Sequence, residues 1–179
     1  MTMMKAWLAV GACGALSACV TPAAPVAAVA PVASATADVR DRTGAPKATA
    51  TATQVGGGIR LRIAAMNMPM GGYGAHIHAV GQCDNPNFES AGPHWNPTNQ
   101  QHGKDNPRGM HKGDLPNLLI GSDGRGEMEI TIPNASIAGA GNSLLDGDGA
   151  ALVIHASADD YRSDPSGNSG ARMACGVFR

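Results

Sequence analysis

The sequence predicts an all-β domain, and three observations predict it. Short apolar runs are separated by clusters of Gly, Pro, Asn and Asp, which punctuate strands rather than helices. Several runs alternate apolar and polar residues with period two, as on a strand with one buried face. About eight such runs fit into 179 residues, enough for one domain plus accessory segments. The formal net charge is −1, so no basic excess marks a nucleic-acid partner or a polybasic membrane contact.

The chain starts with accessory segments. Residues 1–18 carry Lys5 and then an apolar run from Ala6 to Leu16, too short to span a bilayer and shaped like a secretory signal. The run ends in Leu16-Ser-Ala-Cys19, which resembles a bacterial lipobox. That resemblance implies a lipidated Cys19 as the new N-terminus and a membrane anchor. Val20, rather than Asp, follows the cysteine, so a periplasmic, outer-membrane location is expected. Ordinary signal cleavage nearby, with loss of Cys19, is the plainer alternative. Residues 19–33 are rich in Pro, Ala and Val and hold no charge, which suits an extended tether. The domain is expected over residues 34–179.

Within it, residues 35–40 and 47–54 alternate small or β-branched residues with polar ones. The glycines at 56–58 turn the chain into residues 59–63, where Ile59, Leu61 and Ile63 should face inward and Arg60 and Arg62 outward. Residues 66–72 read as a loop whose three methionines pack the barrel end; thioether ligands are the less favoured reading. Further strands are expected at 75–80, 118–120, 128–132, 150–154 and 174–178. Two long irregular segments, 81–117 and 156–171, interrupt the pattern, and loops of that length are usually functional.

Five of the six histidines lie between Gly74 and Asp114, and the sixth, His155, closes a strongly apolar strand. A single histidine is most often structural, and one His-x-His is a weak signal. Here every histidine sits in a short motif, and imidazole is the commonest metal ligand. His76 and His78 are two apart, so on a strand they share a face. His94, His102, His111 and Asp114 come from a segment dense in Gly, Pro and Asn that can fold round an ion. Three nitrogens and one oxygen suit zinc, and an all-imidazole set suits copper or zinc. Cys83 and Cys175 leave the domain an even pair of thiols, as fits an oxidising compartment. Asp146-Gly-Asp-Gly149 lacks the spaced ligands of a calcium loop and reads as a turn.

Taken together, Gly74-Ala-His-Ile-His78, Gly92-Pro-His-Trp-Asn-Pro97, His111-Lys-Gly-Asp-Leu115, Val153-Ile-His155 and Gly170-Ala-Arg-Met-Ala-Cys-Gly176 resemble copper/zinc superoxide dismutase of the bacterial secreted type. The resemblance covers roughly residues 35–179. It implies a Greek-key β-sandwich or flattened eight-stranded barrel with two long functional loops. It implies dismutation of superoxide to oxygen and hydrogen peroxide, by a redox-cycling copper joined to a zinc through a shared histidine. By the same resemblance, copper would take His76, His78, His94 and His155, and zinc His94, His102, His111 and Asp114. His94 would be shared between the ions and carry a proton, and Arg172 would draw the anion. Asp159 would link His76 to His102, and Cys83 would pair with Cys175. Because the charges of residues 156–171 are few, Lys104, Arg108 and Lys112 are read in two ways, as helping Arg172 attract substrate or as ordinary solvated surface charge. A metal-storage or copper-delivery module on the same fold is the rival reading, and a zinc hydrolase a weaker one. The sequence leaves monomer and homodimer both open.

Overall fold

The computed structural model describes residues 33–139 and 141–179; the signal, Cys19 and nearly all of the tether lie outside them. Among the described residues there are nine strands. They are β1 (Ser34–Asp41), β2 (Pro46–Val55), β3 (Gly58–Ala65), β4 (Gly71–Tyr73), β5 (Ala75–His78), β6 (Leu118–Ile120), β7 (Gly126–Pro133), β8 (Ala151–His155) and β9 (Arg172–Val177). Seven form one antiparallel sheet in the order β5-β8-β9-β1-β2-β3-β7, and β4 pairs with β6 in a short ribbon.

The first three strands follow from alternation. Ala35, Ala37 and Val39 on β1 and Ala48, Ala50 and Ala52 on β2 are buried, with exposed or partly exposed residues between them. On β3 the buried positions carry Ile59, Leu61 and Ile63, while Arg60 and Arg62 face water. Register sets Ala50 opposite Ile63 and Ala52 opposite Leu61. Small side chains on one strand thereby leave room for large ones, and Leu115, Leu118, Leu144, Leu152 and Ile154 complete the same core.

Strands β5 and β8 differ from these. Every residue of both is buried. Inside lies the main core; over Val153 and Ala151 lies a second cluster with Phe88, Ala91 and Cys175, contributed largely by the irregular segment after β5. A strand covered on both faces reads as a continuous apolar run, as β8 does.

Three sequence expectations are corrected. Nine strands replace about eight, because β4 lies in the stretch read as a loop: Gly71 and Gly72 offer no side-chain period. β4 runs through Gly74 into β5, and β6 leads through the turn at 121–125 into β7. The ribbon thus connects with both edge strands of the curled sheet, in keeping with the flattened barrel expected. A third irregular connection, 134–150, adds to the two expected. It is anchored by Ile137 and Leu144, which are buried. Of the three methionines, Met68 packs into the core, but Met70 is 73% exposed.

Candidate metal centre

β5 supplies His76 and His78 on one face. It pairs with β8 so that Ala75 stands opposite Ile154, and a register shift after Ile154 turns His155 toward the same region. The free edge of β5 is covered by the irregular segment rather than by a strand. Trp95 N–H donates to the Ile77 carbonyl (2.8 Å), and Ile77 N–H donates to the Gly113 carbonyl (2.9 Å). Gly113 permits this approach, since a Cβ there would lie 2.2 Å from the Ile77 oxygen. These contacts bring His94 opposite His78 and Asp114 opposite His76.

The result is two adjoining groups of buried ligand atoms, each within 4.8 Å of one another: His76, His78, His94 and His155, and then His94, His102, His111 and Asp114. His94 belongs to both, with one ring nitrogen for each. In the first group, His76 Nδ1, His78 Nε2, His94 Nε2 and His155 Nε2 are buried and lack any hydrogen-bond partner. Their other nitrogens are engaged: His76 Nε2 with Asp159 Oδ2 (2.8 Å), His78 Nδ1 with the Gly92 carbonyl (2.8 Å) and His155 Nδ1 with the Gly170 carbonyl (3.1 Å). An acceptor at one ring nitrogen holds the N–H there and leaves a lone pair at the other. Burial pushes His78 down to about 2, aided by the neighbouring His94, and pushes His155 down to about 3 and His94 to about 4. All three are neutral at pH 7. Four converging lone pairs without partners are what a soft or borderline cation needs, so the residues fit the copper set.

The second group is organised by a carboxylate. Asp114 Oδ1 lies 2.9 Å from His94 Nδ1 and 3.0 Å from both His102 Nδ1 and His111 Nδ1. His111 Nδ1 and His94 Nδ1 are 3.4 Å apart. Ligand bonds of about 2 Å in a tetrahedron have edges of roughly 3.3 Å, so these separations fit zinc. Asp114 Oδ2 meanwhile accepts from Gly103 N–H (2.9 Å) and His111 N–H (3.0 Å). Burial raises the Asp114 pKa, but the bonds to His102, His111 and His94 outweigh it and hold the carboxyl far below the usual range. Burial alone would lower His102, yet its bonds to Asp114 and Asp159 raise it to about 9.

Asp159 spans the two groups, its Oδ1 lying 3.0 Å from His102 Nε2 while its Oδ2 faces His76. Residues that sequence reasoning missed fix it there. Asn117 Nδ2 donates to the Asp159 carbonyl (2.9 Å), Asp159 N–H donates back to Asn117 Oδ1 (2.7 Å), and Tyr161 N–H donates to Asp159 Oδ1 (2.6 Å). Gly167 is the second glycine the site requires: its φ is +62° and a Cβ would overlap Asp159 Oδ1. No local signal in the sequence marks these partners beyond the position of Asn117, three residues after Asp114.

Arg172 sits half-buried at the start of β9. Its Nη1 donates to the Phe88 carbonyl (2.7 Å) and its Nη2 to the Gly92 carbonyl (2.7 Å), so it shares Gly92 with His78. Burial lowers its pKa, and the nearby Glu89 partly offsets this. The segment holding both carbonyls is tied to β9 by the Cys83–Cys175 disulfide, with Cα atoms 5.7 Å apart. Arg172 lines a cleft of about 420 Å³ together with His78, His94, His155 and Asp164. Lys104, Arg108 and Lys112 do not line it. Lys104 lies over the Tyr161 ring (4.2 Å) and pairs with Asp105, while Lys112 donates to the Pro133 carbonyl (2.8 Å). Other contacts thus engage two of them outside the lining of the cleft.

The pattern of the copper/zinc superoxide dismutase (SODC) family matches residues 46–178. The superoxide dismutase-like protein YojM of Bacillus subtilis is 47% identical over 123 residues, 68% of this chain and 63% of that protein's length. Superoxide dismutase [Cu-Zn] 1 of Aquifex aeolicus is 42% identical over 147 residues, covering 80% of this chain and 86% of the relative. Among solved structures, that of a SOD-like protein from Bacillus subtilis superposes with a TM-score of 0.75 at 41% identity, over 79% of this chain and 96% of the other.

Proposed function

The chain belongs to the copper/zinc superoxide dismutase family, and from that membership we propose that it converts two superoxide anions and two protons into oxygen and hydrogen peroxide. The observation that carries the reading is the set of four buried imidazole nitrogens that converge without partners. Copper, if held there by His76, His78, His94 and His155, would supply the one-electron couple of the reaction, and zinc in the set of His94, His102, His111 and Asp114 would supply fixed positive charge.

The rest is the work of the chain's own groups. Arg172 offers a guanidinium pinned by two carbonyls, so its charge faces the cleft in one orientation. His94 turns Nδ1 to the group around Asp114 and Nε2 to the other, which supports the reading that both groups share it. When Nε2 is not acting as a ligand it can hold a proton and pass it to the reduced oxygen anion; Nδ1 stays fixed meanwhile. Asp159 keeps His76 and His102 in one tautomer each, a role that neighbours of metal ligands commonly fill.

The test is superoxide turnover of the chain loaded with copper and zinc, beside a His155→Ala variant. Turnover that the variant loses, with copper content falling and zinc content kept, supports the reading. Full loading with both metals and no turnover would favour a storage or delivery module instead.

Lipidation of Cys19 would anchor the domain on the periplasmic side of the outer membrane, through the uncharged tether of residues 19–33. A Cys19→Ser variant should move from the membrane fraction to the soluble one. A homodimer would draw on Leu119, 70% exposed on β6, and Met70 just before β4. Sedimentation of Leu119→Asp beside the unchanged chain reads that contact.

A further inference from the structure

Two side chains of opposite charge line the cleft over His78, His94 and His155: Arg172 on β9, and Asp164 in the segment between β8 and β9. The other side chains lining it are imidazoles, neutral amides, a hydroxyl and prolines, so among the described residues Asp164 is the only one with a carboxylate that lines the same cleft as the guanidinium. Asp164 is exposed. Its single side-chain hydrogen bond among the described residues is through Oδ1, which accepts the His102 N–H at 2.7 Å. That bond fixes the carboxylate at the rim without neutralising it, because the donor is a backbone amide.

We propose that Asp164 is a charge filter at the mouth of this cleft: its carboxylate weakens the pull of Arg172 on all anions, and on dianions more than on monoanions. The inference rests on the dismutase reading only in taking the cleft as the anion's path. The physical basis is that Coulomb energy is linear in the ligand's charge. A unit charge about 10 Å away across water alters a monoanion's affinity roughly twofold and a dianion's roughly fourfold. Superoxide, a monoanion, is thus impeded about twofold less than the phosphate-like dianions that compete for the guanidinium.

The experiment uses the full chain loaded with copper and zinc, with azide as the monoanion probe and phosphate at pH 8 as the dianion. Azide affinity is read from the copper absorption spectrum, and phosphate binding from its displacement of azide. Asp164→Asn keeps the oxygen that accepts from His102 and removes the charge. It should bind azide about twofold tighter and phosphate about fourfold tighter at low ionic strength. Both gains should vanish near 1 M salt. Asp164→Glu keeps the charge and disturbs the hydrogen bond, and should stay near the parent protein. Unchanged azide affinity in Asp164→Asn, equal factors for the two anions, failure of phosphate to displace azide, or an Asp164→Glu variant that tracks Asp164→Asn would each overturn the proposal. Loss of superoxide turnover in the unsubstituted chain would instead remove the dismutase reading, and the anion affinities would still be measured independently of it.

Discussion

The two ligand groups share His94 and are otherwise built on opposite principles. The group of His76, His78 and His155 rides on β5 and β8, strands buried on both faces, and its free nitrogens point at one another with no counter-charge among them. The group of His102, His111 and Asp114 comes from an irregular segment and is satisfied internally, with three imidazoles on one carboxylate oxygen. Burial dominates the first and holds His78 and His155 neutral; hydrogen bonding to carboxylates dominates the second and raises His102. A rigid apolar frame thus presents unpartnered lone pairs, while a charged hub gathers a loop around itself. The difference teaches that the first group gains from a metal what the second already obtains from Asp114.

Acid should expose this contrast most strongly in the metal-free protein. His78, His94 and His155 have folded-state pKa values below the ordinary 6.5. Below pH 6.5 the unfolded chain therefore takes up three protons that the folded chain refuses until about pH 4 and lower. Stability must fall as pH drops through that window. His102 works the other way: its raised pKa adds stability as pH falls from about 9 to 6.5, and that gain is complete below 6.5. The expected outcome is a metal-free protein most stable near pH 6.5–7 that unfolds before pH 4, followed by circular dichroism. Metal loading should extend the folded range downward. A metal-free protein equally stable at pH 7 and pH 4.5 would remove the distinction between the groups.

Asp114→Ala should come next. It removes the oxygen that three imidazoles face and the acceptor of two backbone amides. Breaking a buried, charge-assisted network at its hub costs about 3–5 kcal/mol, read by urea unfolding of the metal-free form. His155→Ala, which removes one unpartnered nitrogen and one bond to Gly170, should cost only about 1–2 kcal/mol in the same assay. Equal losses would mean that the hub is no hub.

The smallest effect on the comparison should come from replacing Cys83 and Cys175 together by serine. Loss of a disulfide typically costs about 2–4 kcal/mol, but here the functional consequence should fall on one side only. The bridge ties down the segment whose Phe88 and Gly92 carbonyls hold Arg172 and His78. Turnover and azide affinity should decline several-fold while zinc content stays unchanged, by metal analysis at pH 7. Zinc loss in step with turnover would show that the bridge supports both groups alike.

Much of this was legible in the sequence, for identifiable reasons. Alternation in β1 to β3 marked the buried alanines and the Ile59-Leu61-Ile63 row, because strand periodicity is a property of neighbouring residues. The His-x-His pair could be assigned to one face on the same ground. The ribbon strand β4 was not legible, since its two glycines carry no pattern. Nor was the connection at 134–150, whose order depends on Ile137 and Leu144 reaching a core assembled elsewhere.

What the sequence by itself determined is the set of ligand types, their grouping into motifs and the strands that carry three of them. Only the tertiary structure decided which atom of each ligand is free. That choice depends on acceptors far along the chain: Asp159 lies 83 residues from His76, and Arg172 lies 80 residues from Gly92. It also decided that Asn117 clamps Asp159, that two lysines make contacts outside the cleft lining and that Asp164 and Arg172 line one cleft. Local propensity acts over a few residues, whereas hydrogen-bond acceptors and charges are brought together only when sheets and loops pack. The contacts of His94, Asp159 and Arg172 are therefore properties of the folded molecule.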